Sequence, residues 1–134
     1  YGLVGSEMCI RDRDAVANWK RLQPAIMDGD QYRLVSPYET NHMAVNYVSK
    51  DLNKAVLFAY DVYPRYQEKL MNVKLQGLDP NKTYKVEEIN LMPGVDSALK
   101  SNGQTYTGDY LMKVGIEVFG FAATQSHVLE LTAM

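Results

Sequence analysis

Residues 41–62, NHMAVNYVSKDLNKAVLFAYDV, hold two apolar runs separated by the polar turn Ser49-Lys50-Asp51-Leu52-Asn53-Lys54. Met43, Val45 and Tyr47 alternate with Ala44, Asn46 and Val48. Val56, Phe58, Tyr60 and Val62 alternate with Ala55, Leu57, Ala59 and Asp61. A period of two, rich in β-branched and aromatic residues and bounded by turn formers, predicts a β-hairpin. The first parity of each strand is read as the core side, and most positions of the non-core parity are also small or apolar, so both faces of these strands are expected to be covered, as for inner strands of a sheet. The hairpin itself carries no recognisable chemistry.

The chain is 134 residues long with a formal net charge of −2 and an isoelectric point near 5.6. That size fits one domain able to bury roughly two thirds of its unfolded surface. Basic residues are dispersed among acidic ones, which argues against a nucleic-acid partner needing a basic stripe. No apolar run reaches the roughly 20 residues of a membrane-spanning helix. The chain begins at Tyr1 rather than Met, which is read as a missing true start and leaves the compartment open, a secreted or periplasmic parent included. Gly5 to Arg13, GSEMCIRDR, resembles a translated sequencing adapter of the kind found at the ends of metagenomic gene sequences. Residues 1–13 are therefore set apart as a non-native leader. The one cysteine, Cys9, falls within it and supports no redox or nucleophilic role.

From Asp14, read as an N-cap, Val16, Trp19, Leu22 and Ile26 recur at spacings of three to four and predict one amphipathic helix over residues 14–29. Pro24 is expected to kink or restart it and Gly29 to stop it. Burying Trp19 would remove roughly 150–250 Å² from water, on the order of 4–6 kcal/mol as an upper bound, so this stripe expects a partner surface. Further strands are expected at Gln31–Val35, Met71–Leu75, Thr83–Ile89, Val118–Phe121 and Ser126–Leu131. Turns fall at residues 77–82, at Pro93-Gly94 and at Asn102-Gly103, the last of the I′ hairpin type. Gly108–Gly115 has room for one or two helical turns. The sum is a mainly β fold: an antiparallel Greek-key β-sandwich of seven to eight strands, occupying residues 30–134 and preceded by one amphipathic helix.

Candidate chemistry is sparse. Glu87 and Glu88 are adjacent on a strand and face opposite sides, so they are not an acid/base pair. Asp28 and Asp30 flank a glycine at a helix end without the downstream oxygen ligands of a calcium loop. His42 and His127 are far apart in sequence and neither has a partner at metal-ligand spacing, the ordinary case of structural histidines. No cofactor or metal site is expected. No G-x-S-x-G elbow or glycine-rich phosphate loop is present. Among ten tyrosines, Tyr60, Tyr63 and Tyr66 cluster around Pro64 and form a candidate sugar-stacking platform, against the plainer reading of packing at the rim of a sandwich. Asn81-Lys82-Thr83 fits the glycosylation sequon.

Four phrases in order carry a resemblance: Trp19 to Ile26; Gly29-Asp30-Gln31-Tyr32-Arg33-Leu34-Val35-Ser36-Pro37; Leu75-Gln76-Gly77-Leu78-Asp79-Pro80 with Tyr84 and Val86; and Gly108-Asp109-Tyr110-Leu111-Met112 with Gly115. Together they resemble the C-terminal end of α-galactosidases of glycoside hydrolase family 36, from the last helix of the catalytic barrel into the C-terminal β-sandwich. The resemblance covers Asp14 to Met134. It implies a parent enzyme that removes terminal α-linked galactose. The catalytic aspartates of that family lie at strand ends of a (β/α)8 barrel, upstream of Asp14, so no catalytic residue is carried onto this chain. The implied partner is that barrel, and carbohydrate is met through the parent. The alternatives left open are a stand-alone carbohydrate-binding module and a structural interaction domain.

Overall fold

The computed structural model describes residues 2–62, 71–119 and 126–134, the first helix being described by its backbone alone up to residue 9. Helix α1 (Gly2–Met27) leads into strands β1 (Asp30–Val35), β2 (His42–Val48), β3 (Lys54–Asp61) and β4 (Thr83–Ile89). The short β5 (Thr105–Thr107), helix α2 (Gly108–Lys113) and β6 (Ser126–Ala133) follow. The six strands form one antiparallel sheet in the order β1-β2-β3-β6-β4-β5.

The hairpin forms as expected. His42 pairs with Asp61 and Val48 with Ala55, around a turn in which the Ser49 amide donates to the Lys54 carbonyl. Both its strands are interior; one face is buried and the other is partly covered. On one face Ala44, Asn46 and Val48 join Ala55, Leu57 and Ala59 of β3, Leu129 and Leu131 of β6, and Tyr84 and Val86 of β4. On the other, Val45 and Val56 are buried beside Glu130.

The main core lies between the first face and a layer made of loops and α2, from which Val73, Leu75, Leu78, Leu99, Leu111, Ile116, Val118 and Phe119 project. The expected count of seven to eight strands is not reached among the described residues, and a Greek-key order is not established. Met71–Leu75 runs extended with Val73 and Leu75 buried, but only Val73 finds a ladder partner, Ile116. Its other backbone groups pair elsewhere: Leu75 N–H donates to the Leu111 carbonyl, and the buried Asn46 amide donates to the Gln76 carbonyl at 2.9 Å. Asn46 thus joins the two layers where a strand would otherwise have been needed. Val118 and Phe119 are buried without forming a strand, and the remainder of that expected strand lies outside the described residues.

Three local expectations are revised. Asp14 is not an N-cap but an exposed position inside α1, which runs unbroken through Pro24 to Met27. Pro24 sits in the last turn and removes the one N–H that would bond to the Lys20 carbonyl, and the helix ends within a turn of it, the Pro24 carbonyl accepting from Asp28 N–H at 3.0 Å. At Asn102-Gly103 only Gly103 takes a positive φ, +78°, so the turn is not type I′, which needs positive φ at both residues. Gly29 does follow the helix end, through close approach rather than a left-handed cap: a Cβ there would overlap the carbonyl oxygens of Ala25 and Val48.

Helix α1 packs on the second sheet face, against β1, β2 and β3. Leu22 and Ala25 are buried there and Ile26 is half-buried, whereas Val16 and Trp19 are 52% and 47% exposed. The sheet is wide enough to cover only the C-terminal turns of the helix. The rest of the predicted stripe stays in solvent.

Candidate functional site

Three groups of polar side chains are built into the sheet. At one end of the main core face, His42 Nδ1 lies 2.5 Å from Asp61 Oδ1 across the β2–β3 pair, and the imidazole stacks on Phe119 at 4.5 Å between centroids. At the same end, one strand further along, His127 Nδ1 donates to Glu88 Oε1 at 2.7 Å, a diagonal β6–β4 contact, while the Ser97 hydroxyl donates to the other Glu88 oxygen. The two histidines that sequence separation set far apart thus come to one end of one sheet, and each meets a buried carboxylate. Burial opposes ionisation of Glu88, yet the hydrogen bonds from His127 and Ser97 outweigh it and hold the carboxyl below its ordinary range.

Among the described residues these pairs do not make a catalytic relay: Ser97 donates to the Glu88 carboxylate and not to an imidazole, which is not the order nucleophile–base–acid. Asp61 and Glu88 each bind a histidine inside the core and do not face each other across a cleft. Glu87, as expected, points to the opposite side from Glu88 and is exposed. Among the described residues no cluster of three or more His, Cys, Asp or Glu could hold a metal ion. No described helix is long and apolar enough to cross a membrane.

The third group lies on the opposite face. Glu130 on β6, its side chain 8% exposed, receives Arg21 Nε and Nη2 of α1 at 3.0 and 2.9 Å and Lys54 Nζ of β3 at 2.8 Å. Arg21 also donates to Asn18, whose amide reaches Asn90 after β4. The fork geometry of arginine on carboxylate fixes α1 on the sheet. Burial pushes the Glu130 carboxyl up, but Arg21 and Lys54 pull it further down, and its net shift is below the ordinary 4.5. A carboxyl depressed in the folded state stabilises fully above 4.5 and loses that contribution as pH falls through the folded value. Arg21→Ala is therefore expected to cost about 1 kcal/mol near neutral pH, discounted for the exposure of Arg21, and less at an acid pH well below 4.5, as Glu130 takes up its proton. Urea unfolding of both proteins at the two pH values checks this. An equal cost at both would remove the ion pair as the cause.

Of the predicted sugar platform, Tyr60 stands half-exposed at the end of β3, beside Met43 and Ser126. Tyr63 and Tyr66 lie outside the described residues. Asn81 is exposed in the turn from Asp79 to Lys82. Tyr84 is fully buried. Its hydroxyl donates to the Leu52 carbonyl at 2.7 Å and accepts from Asp79 N–H at 3.1 Å, joining two turns.

The architecture is a single antiparallel sheet with a leading helix: His42, Asp61, Glu88, His127 and Glu130 pair with one another or with α1 and β3, and Val16 and Trp19 of the helix stay exposed. Residues 42–131 match the family described as the glycosyl hydrolase family 36 C-terminal domain, and the chain belongs to that family. It is 36% identical over 110 residues to the protein named "Probable alpha-galactosidase C" of Aspergillus terreus, a match that covers 79% of this chain and 13% of that protein. The GH36 alpha-galactosidase AgaB of Geobacillus stearothermophilus has a similar structure, with a TM-score of 0.69 at 29% identity over 89% of this chain and 15% of its own. The galactosidase domain of the alpha-galactosidase-sucrose kinase AgaSK shares the fold, with a TM-score of 0.73 at 22% identity over 91% of this chain and 15% of its own. This chain thus spans about an eighth of the length of the curated relatives it matches.

Proposed function

We propose that this chain is the C-terminal structural domain of a retaining α-galactosidase, that it bears no catalytic residue, and that it braces the catalytic barrel of its parent. The observation that carries this reading is the match of a C-terminal family domain to a chain covering about an eighth of its α-galactosidase relatives. The open stripe of Val16 and Trp19 agrees with it: the helix buries Leu22 and Ala25 on this sheet and offers its earlier turns to a neighbour. On the same reading α1 from Asp14 is the last helix of the barrel, and residues 1–13 are a leader foreign to the domain. Hydrolysis with retention needs two carboxyl groups roughly 5–5.5 Å apart across the glycosidic bond, and the parent's barrel supplies them.

The expected result is that the 134-residue chain hydrolyses no aryl α-galactoside, while the chain extended upstream in frame does. Turnover by the short chain that disappears on substitution of one of its own carboxylates, or an upstream frame without a barrel, would overturn the proposal.

A further inference from the structure

Beside β5 and α2 lies a cleft of about 270 Å³, bounded by Asn72, Lys100, Ser101, Tyr106, Tyr110 and Glu117. The Tyr106 and Tyr110 rings stack at 5.2 Å with an interplanar angle of 13°. Their spacing is set locally: β5 ends at Thr107, whose hydroxyl accepts from Tyr110 N–H at 3.1 Å and turns the chain into α2. Tyr106 is half-buried and Tyr110 is 41% exposed, so aromatic surface remains open to the cleft. Burial, with the neighbouring Tyr110, raises the Tyr106 phenol, which stays a neutral donor at neutral pH.

Ser101 is 3% exposed, and its Oγ has no hydrogen-bond partner among the described residues. A buried hydroxyl left unpaired costs about 1–3 kcal/mol, which makes this serine a feature that an incoming polar group relieves. Lys100 and Glu117 contribute one charge of each sign, so the lining favours neither anion nor cation. Asn72 offers both a donor and an acceptor. An aromatic face next to mixed donors and acceptors with no net charge fits a ligand having an apolar C–H face and several hydroxyls.

We propose that this cleft binds one neutral hexopyranose unit, stacked on the Tyr106–Tyr110 pair, with its hydroxyls held by Asn72, Lys100, Ser101 and Glu117. The choice of a sugar among neutral polyhydroxyl ligands rests on the proposed function; the cleft and its unpaired hydroxyl do not. The site differs from the platform expected around Tyr60, which stands at the end of β3 away from β5.

The test is amide chemical-shift titration of the isotopically labelled 134-residue chain with D-galactose, with raffinose, and with glycerol as the polyol control. Saturable shifts at Ser101, Tyr106, Tyr110 and Glu117, with a Kd of about 1 mM or weaker, are expected for the sugars and not for glycerol. Tyr110→Ala should weaken binding by about twofold to tenfold, the range that one aromatic contact supplies. Glu117→Gln, at an exposed position, serves as a second variant with an unchanged fold and should weaken it also. No saturable shift with either sugar, shifts centred on Tyr38 or Tyr60, or the same shifts with glycerol would each overturn the proposal. Binding is read without turnover, so a negative result here is separate from a negative result with the longer chain.

Discussion

Replacing His127 by leucine is expected to destabilise the domain by about 3–5 kcal/mol near neutral pH, the cost of leaving the buried Glu88 carboxylate without the hydrogen bond from the imidazole. The side chains of His127 and Glu88 are 2% and 3% exposed, so water cannot take the place of the imidazole. Ser97 still donates to Glu88 in the variant, but one hydroxyl does not offset the burial that already opposes ionisation. The sign of the pH dependence follows. Without His127, burial dominates and the folded-state value of Glu88 rises above its unfolded one, so the penalty grows as pH climbs past the ordinary carboxylate range and shrinks in acid. The double variant His127→Leu with Glu88→Leu should recover part of the loss, because no buried carboxylate is left without its imidazole, although the Ser97 hydroxyl loses its acceptor. Urea denaturation across the cycle decides this. Additive losses in the double variant would show that the pair is not coupled and that the histidine matters for its packing alone.

Gly115→Ala is expected to cost about 2–4 kcal/mol, more than any single surface change. Its φ of +79° is worth about 1–2 kcal/mol against alanine, and a Cβ there would overlap the Val73 carbonyl, which is backbone and cannot step aside. That carbonyl accepts from Ile116 N–H at 3.0 Å, and Val73 N–H donates to the Ile116 carbonyl at 2.9 Å. The substitution therefore pries apart the Val73–Ile116 bridge, which ties residues 71–75 to the segment after α2. Gly103→Ala is the control: its φ is +78°, but nothing lies within 4 Å of its would-be Cβ, so it should lose only the conformational part. Thermal unfolding and hydrogen exchange at Val73 and Ile116 separate the two. Equal losses for both glycines would mean that the overlap relaxes without cost.

The strands of the hairpin, β4 and β6 were legible because alternation is a local signal, but it did not tell which hairpin face meets the main core: that face carries Ala44, Val48, Ala55, Leu57 and Ala59, not the expected parity of Met43, Tyr47, Phe58 and Tyr60. The segment at Met71 misled for the same reason. Alternation reported correctly that Val73 and Leu75 point inward, but it cannot report whether a neighbouring backbone is available, and Asn46 and Leu111 took the hydrogen bonds instead. The stripe on α1 was half right: Leu22 found the sheet, Trp19 did not. The polar pairs were invisible. Glu88 meets His127 across 39 positions of sequence only because β6 lies between β3 and β4, and nothing in either strand encodes its neighbour. The cleft at Tyr106 was missed because β5 has three residues and no periodicity to show. The dense Thr-Tyr-Thr-Gly-Asp-Tyr run was the available signal.

The position of β6 also governs how this domain is made. Strands β1 to β3 can pair as soon as they are synthesised, since each follows its neighbour in the chain. The strand that joins them to β4 is the last of the six, and its partners at Lys54–Tyr60 and Tyr84–Ile89 lie tens of residues earlier. Contacts of such long sequence separation form slowly. Until residue 133 has left the ribosome, the edge of β3 and the apolar face carrying Leu57 stand open, a template for pairing with other chains. The nascent chain therefore has an aggregation-exposed interval that closes only when β6 inserts, and chaperone occupancy during synthesis should fall at that step.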